Sequence, residues 1–184
     1  MIIKDSLTRL LYKLPLWIII LLMILWVVFW ALLMVILYCS KRSRGIVSKV
    51  NGVLLLLGVY AILRMTLIGR HQHTKASDLY PISIVWGNKK PSDYWRVMLL
   101  SFLLFLPFGT ALPYCLSRMT SSPAMWSLVS CLILSIIIEI IQYGFELGML
   151  EVDDIICNVG GGALGMTSYL IYKKVVKSKS EIGS

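Results

Sequence analysis

Carboxylate and amide side chains are concentrated near the end of this mostly hydrocarbon sequence. Glu139 and Gln142 lie inside one apolar run, three residues apart, so they share a face if the run is helical. The next apolar run contains Asn158. Between Gln142 and Asn158 the chain carries four further acids: Glu146, Glu151, Asp153 and Asp154. Such oxygen atoms suit a hard cation such as Mg²⁺, and they also join membrane helices by hydrogen bonds.

Ionisable groups within a membrane are costly and usually face the interior of the helix bundle. We therefore predict a polar intramembrane site, whose members are Glu139, Gln142, Asp153, Asp154 and Asn158. A structural interpretation stays open for the acids, because Asp153 or Asp154 can cap a helix whose N-terminus favours negative charge.

Two arginines are candidate cationic partners for these acids. Arg64 lies near the end of the second apolar run and Arg70 follows it. Arg64 can instead extend its charged end to the lipid headgroups. The spacing of histidines and cysteines predicts no metal site, and we expect no cofactor.

The composition indicates a multi-pass membrane protein. Of 184 residues, 58% are hydrophobic and 15% are charged, whereas soluble domains have about a quarter charged residues. Crossing the hydrocarbon takes about 20 residues. Five runs qualify, at residues 14–38, 46–68, 94–118, 124–147 and 154–172. The sequence predicts an all-α integral membrane protein with about five transmembrane helices in a compact bundle.

Prolines and glycines predict how two of these helices are shaped. Pro107, Gly109 and Pro113 predict a kink in the third helix, because proline cannot donate a backbone hydrogen bond. Gly161 and Gly165 are four residues apart, which favours close approach of another helix to the fifth.

The basic residues lie in short clusters beside the apolar runs, so the net charge of +9 does not indicate a nucleic-acid partner. With five helices the two termini lie on opposite sides of the membrane. The Lys and Arg totals of the two sides, 8 and 9, nearly tie. The clusters at residues 41–44 and 173–174 are the densest, which favours an outside amino end and a cytoplasmic tail.

Three segments together resemble the VanZ-like family of small bacterial membrane proteins. Residues 78–83, Asp-Leu-Tyr-Pro-Ile-Ser, resemble the family's Asn-Leu-Ile-Pro-Phe. Residues 103–113, Leu-Leu-Phe-Leu-Pro-Phe-Gly-Thr-Ala-Leu-Pro, resemble Phe-Ile-Pro-Phe-Gly-x-x-x-Pro. Residues 139–165 resemble Glu-x-x-Gln followed by Asp-x-Asp-Asp-x-x-x-Asn-x-x-Gly.

The sequence departs from the family pattern at four places. Asp78 and Ser101 stand where asparagine is usual, and Glu151 replaces the first aspartate. Gly148 or a neighbour stands where many members carry a base before the acidic turn. If the family's site needs that base, Arg64 or Arg70 must supply it here.

The resemblance implies a division of the chain and a function. An extra transmembrane helix and basic loop would occupy residues 1–45, the VanZ-like domain residues 46–173 and a basic cytoplasmic tail residues 174–184. The family's founding member is associated with low-level teicoplanin resistance. The resemblance thus implies a multi-pass protein of a Gram-positive-type plasma membrane, with the lipid bilayer as its surroundings and a lipoglycopeptide or a lipid-linked cell-wall precursor as its partner.

Two alternatives stay open. The acids, with Asn158, can form a Mg²⁺-assisted site of an enzyme or carrier for a polyprenyl or phospholipid substrate. The polar cluster can also serve only to hold the helices together.

Overall fold

The computed structural model describes residues 15–39, 44–67, 77–78, 91–147 and 150–182. This part of the chain folds into five helices and a pair of two-residue strands. The helices are α1 (Leu16–Cys39), α2 (Arg44–Thr66), α3 (Pro91–Leu116), α4 (Pro123–Gly144) and α5 (Val152–Ile182). All five are long and apolar enough to cross a membrane. The prediction of an all-α membrane protein with about five transmembrane helices is confirmed.

The fifth helix differs most from its predicted bounds. It begins at Val152, so Asp153 and Asp154 lie within its first turn and not at the capping position. It ends at Ile182, well beyond the predicted end at residue 172. Residues 173–182 contain neither glycine nor proline and include several lysines, which are good helix formers, so nothing local stops the helix.

Helices α3 and α5 form the centre of the bundle. They make the most extensive contact of any pair, and each also packs against α1 and α4. Helix α2 packs mainly on α3. α3 is continuous through Pro107 and Pro113, and the predicted kink stays a prediction.

Tryptophan side chains attach the first helix to the bundle. The rings of Trp26 and Trp30 stack with centroids 5.6 Å apart. Trp30 Nε1 donates to Oδ1 of the buried Asn51 on α2 at 3.1 Å, and Trp26 Nε1 donates to Thr110 Oγ1 on α3 at 3.2 Å. The apolar α1 is thus joined to its neighbours by two indole N–H groups.

A short parallel pairing links two connections at one end of the bundle. Strand β1 (Ser77–Asp78) pairs with β2 (Leu150–Glu151), with Ser77 opposite Leu150 and Asp78 opposite Glu151. Ser77 and Asp78, which lie between α2 and α3 in the sequence, are thereby held beside the acidic start of α5.

Candidate functional site

A cluster of buried polar side chains lies at the end of the bundle where α2 and α4 end and α5 begins. Glu139, Gln142, Asp153 and Asn158 are exposed by only 2%, 1%, 3% and 4%. Glu139 is five residues before the end of α4, about 7 Å along its axis. The cluster therefore lies close to one face of the membrane-spanning bundle and not at its middle.

Helical spacing explains why α4 contributes several members. Its buried face includes Ser135, Glu139 and Gln142, separated by four and three residues. Apolar side chains such as Ile136, Ile137 and Ile140 cover the outer face. The polar side chains of α4 are thus directed together into the bundle.

Glu139 bonds to the start of the fifth helix. Its Oε2 accepts a hydrogen bond from the backbone N–H of Glu151 at 3.1 Å. Glu151 immediately precedes Val152, the first residue of α5. Backbone N–H groups at a helix N-terminus have no intrahelical acceptor and favour negative charge. A carboxylate from α4 therefore serves as an acceptor at the N-terminus of α5.

Gln142 makes the corresponding contact at the end of the second helix. Its Nε2 donates to the backbone oxygen of Thr66, the last residue of α2, at 3.2 Å. Carbonyl groups in the last turn of a helix also lack intrahelical partners. Two residues on one face of α4 thus bond to the ends of two other helices.

Asn158 joins the fourth and fifth helices inside the cluster. Its Nδ2 donates to Ser135 Oγ at 2.9 Å, and both side chains are buried. Ser135 is absent from the residues predicted for the site. The sequence could have indicated it, because Ser135 lies one helical turn before Glu139 on the same face of α4.

The two aspartates of α5 have different surroundings. Asp153 is buried, whereas Asp154 is half-buried and lies 3.5 Å from Ser101 Oγ on α3, a long hydrogen bond. Ser101, which stands where the family pattern has asparagine, is therefore next to the cluster. Within the described residues, no group of three or more His, Cys, Asp or Glu side chains is arranged to hold a metal ion.

Of the two candidate cationic partners, only Arg64 lies among the described residues. Arg64 is half-buried in the last turn of α2, at the same end of the bundle as the cluster. Its ion pair with Glu139 stays a prediction. Arg70 lies outside the described residues.

Glycines let α5 lie directly against α3. A Cβ added at Gly161 would collide with the carbonyl oxygen of Phe102, and one at Gly165 with that of Leu106. Gly109 on α3 faces Gly162 in the same way. These backbone contacts set the position of α5 along α3, and hence the depth of α5 in the membrane and the position of its acidic first turn.

The fold and the site define a small multi-pass membrane protein. Near one membrane face, its buried polar side chains form hydrogen bonds with backbone groups at the ends of neighbouring helices. The family model described as VanZ/LLP1 matches residues 17–173, and the chain belongs to this family. It is also similar to Protein VanZ of Enterococcus faecium, with 28% identity over 137 residues, covering 74% of this chain and 79% of that protein. No solved structure matches the chain.

The family match begins inside α1. The predicted division of the chain, with residues 1–45 outside the VanZ-like domain and residues 174–184 as a tail, stays a prediction.

Proposed function

We propose that this chain is a plasma-membrane protein of a Gram-positive-type cell envelope that lowers susceptibility to teicoplanin-like lipoglycopeptides. The observation that carries the proposal is the polar cluster of this VanZ/LLP1 family chain, in which Glu139 bonds to the start of a helix whose first turn is acidic. The proposal assigns the cluster to the outer face of the membrane, where such a drug meets its peptidoglycan precursor.

The geometry supports a role at a surface. Glu139 and Gln142 bond to the ends of α5 and α2, so the acidic first turn of α5 is held in place. Asp154 is half-buried there, and the neighbouring Asp153 is buried. A fixed set of carboxylates at headgroup depth binds or excludes an amphiphile according to its charge and hydrogen-bonding groups.

The test uses expression in a susceptible Gram-positive host, with wild type compared with Glu139→Gln. We expect wild type to raise the inhibitory concentration of teicoplanin and the variant to lose most of that increase. Glutamine keeps an oxygen that can accept the Glu151 N–H but removes the charge, so the protein is expected to stay inserted.

The matched control is Glu146→Gln, which removes one charge from the turn after α4. It should protect like wild type at equal protein level. If Glu139→Gln protects cells as well as wild type does, Glu139 has a purely structural role. If wild type changes the inhibitory concentration of neither teicoplanin, vancomycin nor cationic peptides, the resistance proposal is wrong. Retained polyprenyl pyrophosphate or phospholipid that depends on Mg²⁺ and on Asp153 and Asp154 would favour the lipid-linked enzyme or carrier instead.

A further inference from the structure

The fifth helix is longer than a membrane crossing requires. Its 31 residues span about 46 Å, whereas the hydrocarbon core is about 30 Å thick. The excess lies at its C-terminal end, because its first turn belongs to the polar cluster at the opposite face.

An aromatic contact marks the level at which α5 leaves the bundle. The ring of Tyr172 lies 5.2 Å from that of Tyr114, and α3 ends at Leu116. Tyr169 also packs on Tyr114, with centroids 5.1 Å apart. The helix beyond Tyr172 therefore projects past the end of α3 by about 15 Å.

This projecting part is strongly basic. Lys173, Lys174 and Lys177 are exposed on it. Arg118, just after α3, and Lys49, near the start of α2, are exposed at the same face. Of the nine acids in the sequence, Glu181 alone belongs to the segments that the helix order assigns to this face, so basic residues far outnumber acidic ones there.

We propose that the basic extension of α5, residues 173–182, binds the headgroups of anionic phospholipids at the membrane face opposite the polar cluster. Charge complementarity identifies the partner, since lysines that emerge beside the headgroups lie within a Debye length of the lipid phosphates. Helical structure keeps Lys173, Lys174 and Lys177 within one turn of one another, where they act on the same small area of lipid.

The proposal is tested by native mass spectrometry of the purified full chain, titrated with equal amounts of phosphatidylglycerol and phosphatidylcholine. Wild type is expected to retain phosphatidylglycerol preferentially. The triple variant Lys173→Gln, Lys174→Gln, Lys177→Gln should lose roughly tenfold or more of that preference, because each lysine near an anionic surface contributes about a fivefold factor.

A matched control removes three lysines from the opposite face, where the sequence places Lys75, Lys89 and Lys90 between α2 and α3. The corresponding Lys→Gln triple variant should keep the lipid preference of wild type. An equal loss in both variants would assign the effect to net charge and overturn the proposal, as would an unchanged preference in the α5 variant.

Two further measurements keep the proposal falsifiable if the α5 variant fails to fold. A Lys→Arg triple variant at the same positions should retain the preference, and raising the salt concentration should abolish it in wild type. Persistence of the preference at high salt would overturn the electrostatic proposal. Displacement of the lipid by equimolar glycerol phosphate or polyglutamate would identify a soluble anion or an acidic protein as the partner and would also overturn it.

Discussion

At the scale of single residues, Glu139 and Gln142 each bond to a backbone group at the end of a neighbouring helix. Such groups have no acceptor or donor within their own helix. In an apolar environment an unsatisfied backbone group costs several kcal/mol. The buried polar side chains of α4 therefore satisfy backbone groups of α2 and α5, which gives them a structural role beside the proposed functional one.

The bond between Asn158 and Ser135 provides a direct measure of polar stabilisation in this bundle. A double-mutant cycle of Asn158→Ala and Ser135→Ala should give a coupling energy of about 1 kcal/mol, since hydrogen bonds between membrane helices have about that strength. Reversible unfolding in bicelles is the measurement.

The control for this cycle is Ser130→Ala on the same helix. The Ser130 hydroxyl is only partly buried and donates to the Trp126 carbonyl one turn earlier, so it joins no second helix. Its loss should change stability by less than about 0.5 kcal/mol. A coupling near zero between Asn158 and Ser135 would show that the two side chains do not stabilise each other.

At the scale of the helices, the contact between α3 and α5 depends on glycine. Gly161 and Gly165 face backbone oxygens of α3, and a backbone atom cannot turn aside as a flexible side chain can. Any added Cβ must push the two helices apart. Because α5 begins with the acidic turn, a shift of this helix would also displace the polar cluster.

We predict that Gly161→Ala lowers the free energy of unfolding by about 1–3 kcal/mol, the usual cost of overpacking. The measurement is thermal unfolding of the purified protein in detergent. Loss of the α3 contact should also weaken any activity that depends on the cluster.

Gly52→Ala is the matched control, since it places the same methyl group on α2 in open space. There the change should be neutral or stabilising by up to about 1 kcal/mol, because alanine restricts the unfolded chain more than glycine does. Equal destabilisation by both variants would contradict the role given to the α3–α5 contact.

At the scale of the whole molecule, the two faces of the bundle have different chemistry. One face holds the polar cluster and the acidic start of α5, and the other holds the basic extension of α5 with Arg118 and Lys49. Cytoplasmic segments of membrane proteins are enriched in Lys and Arg close to the helix ends. The Lys and Arg totals of the two faces nearly tie, but the lysines of α5 are clustered directly after its membrane crossing, which favours their face as the cytoplasmic one.

We therefore predict a cytoplasmic carboxyl terminus and an outside amino terminus. A reporter that is active only in the cytoplasm should give a signal when fused after Ser184 and none when fused before Met1. The reverse pattern would contradict the orientation and would also remove the polar cluster from the outer face. Equal signals at both ends would contradict the crossing of the membrane by five helices.

The sequence alone determined the class of protein, because long apolar runs leave few alternatives to membrane-spanning helices. It also predicted that Glu139 and Gln142 share a face and that Gly161 and Gly165 recur one turn apart, since both follow from helical periodicity. The resemblance to the VanZ-like family rested on the same local spacing, and the family match confirms it.

The tertiary structure decided which groups these side chains meet. Periodicity could not indicate that Glu139 bonds to the N–H of Glu151, that Gln142 bonds to the carbonyl of Thr66, or that Asn158 bonds to Ser135. Those partners depend on the depth and order of the helices in the bundle. Depth is set by backbone contacts between α3 and α5 that join residues about 60 positions apart. The spacing of Gly161 and Gly165 predicted a close approach of some helix, but it could not identify α3 or the residues that α5 meets there.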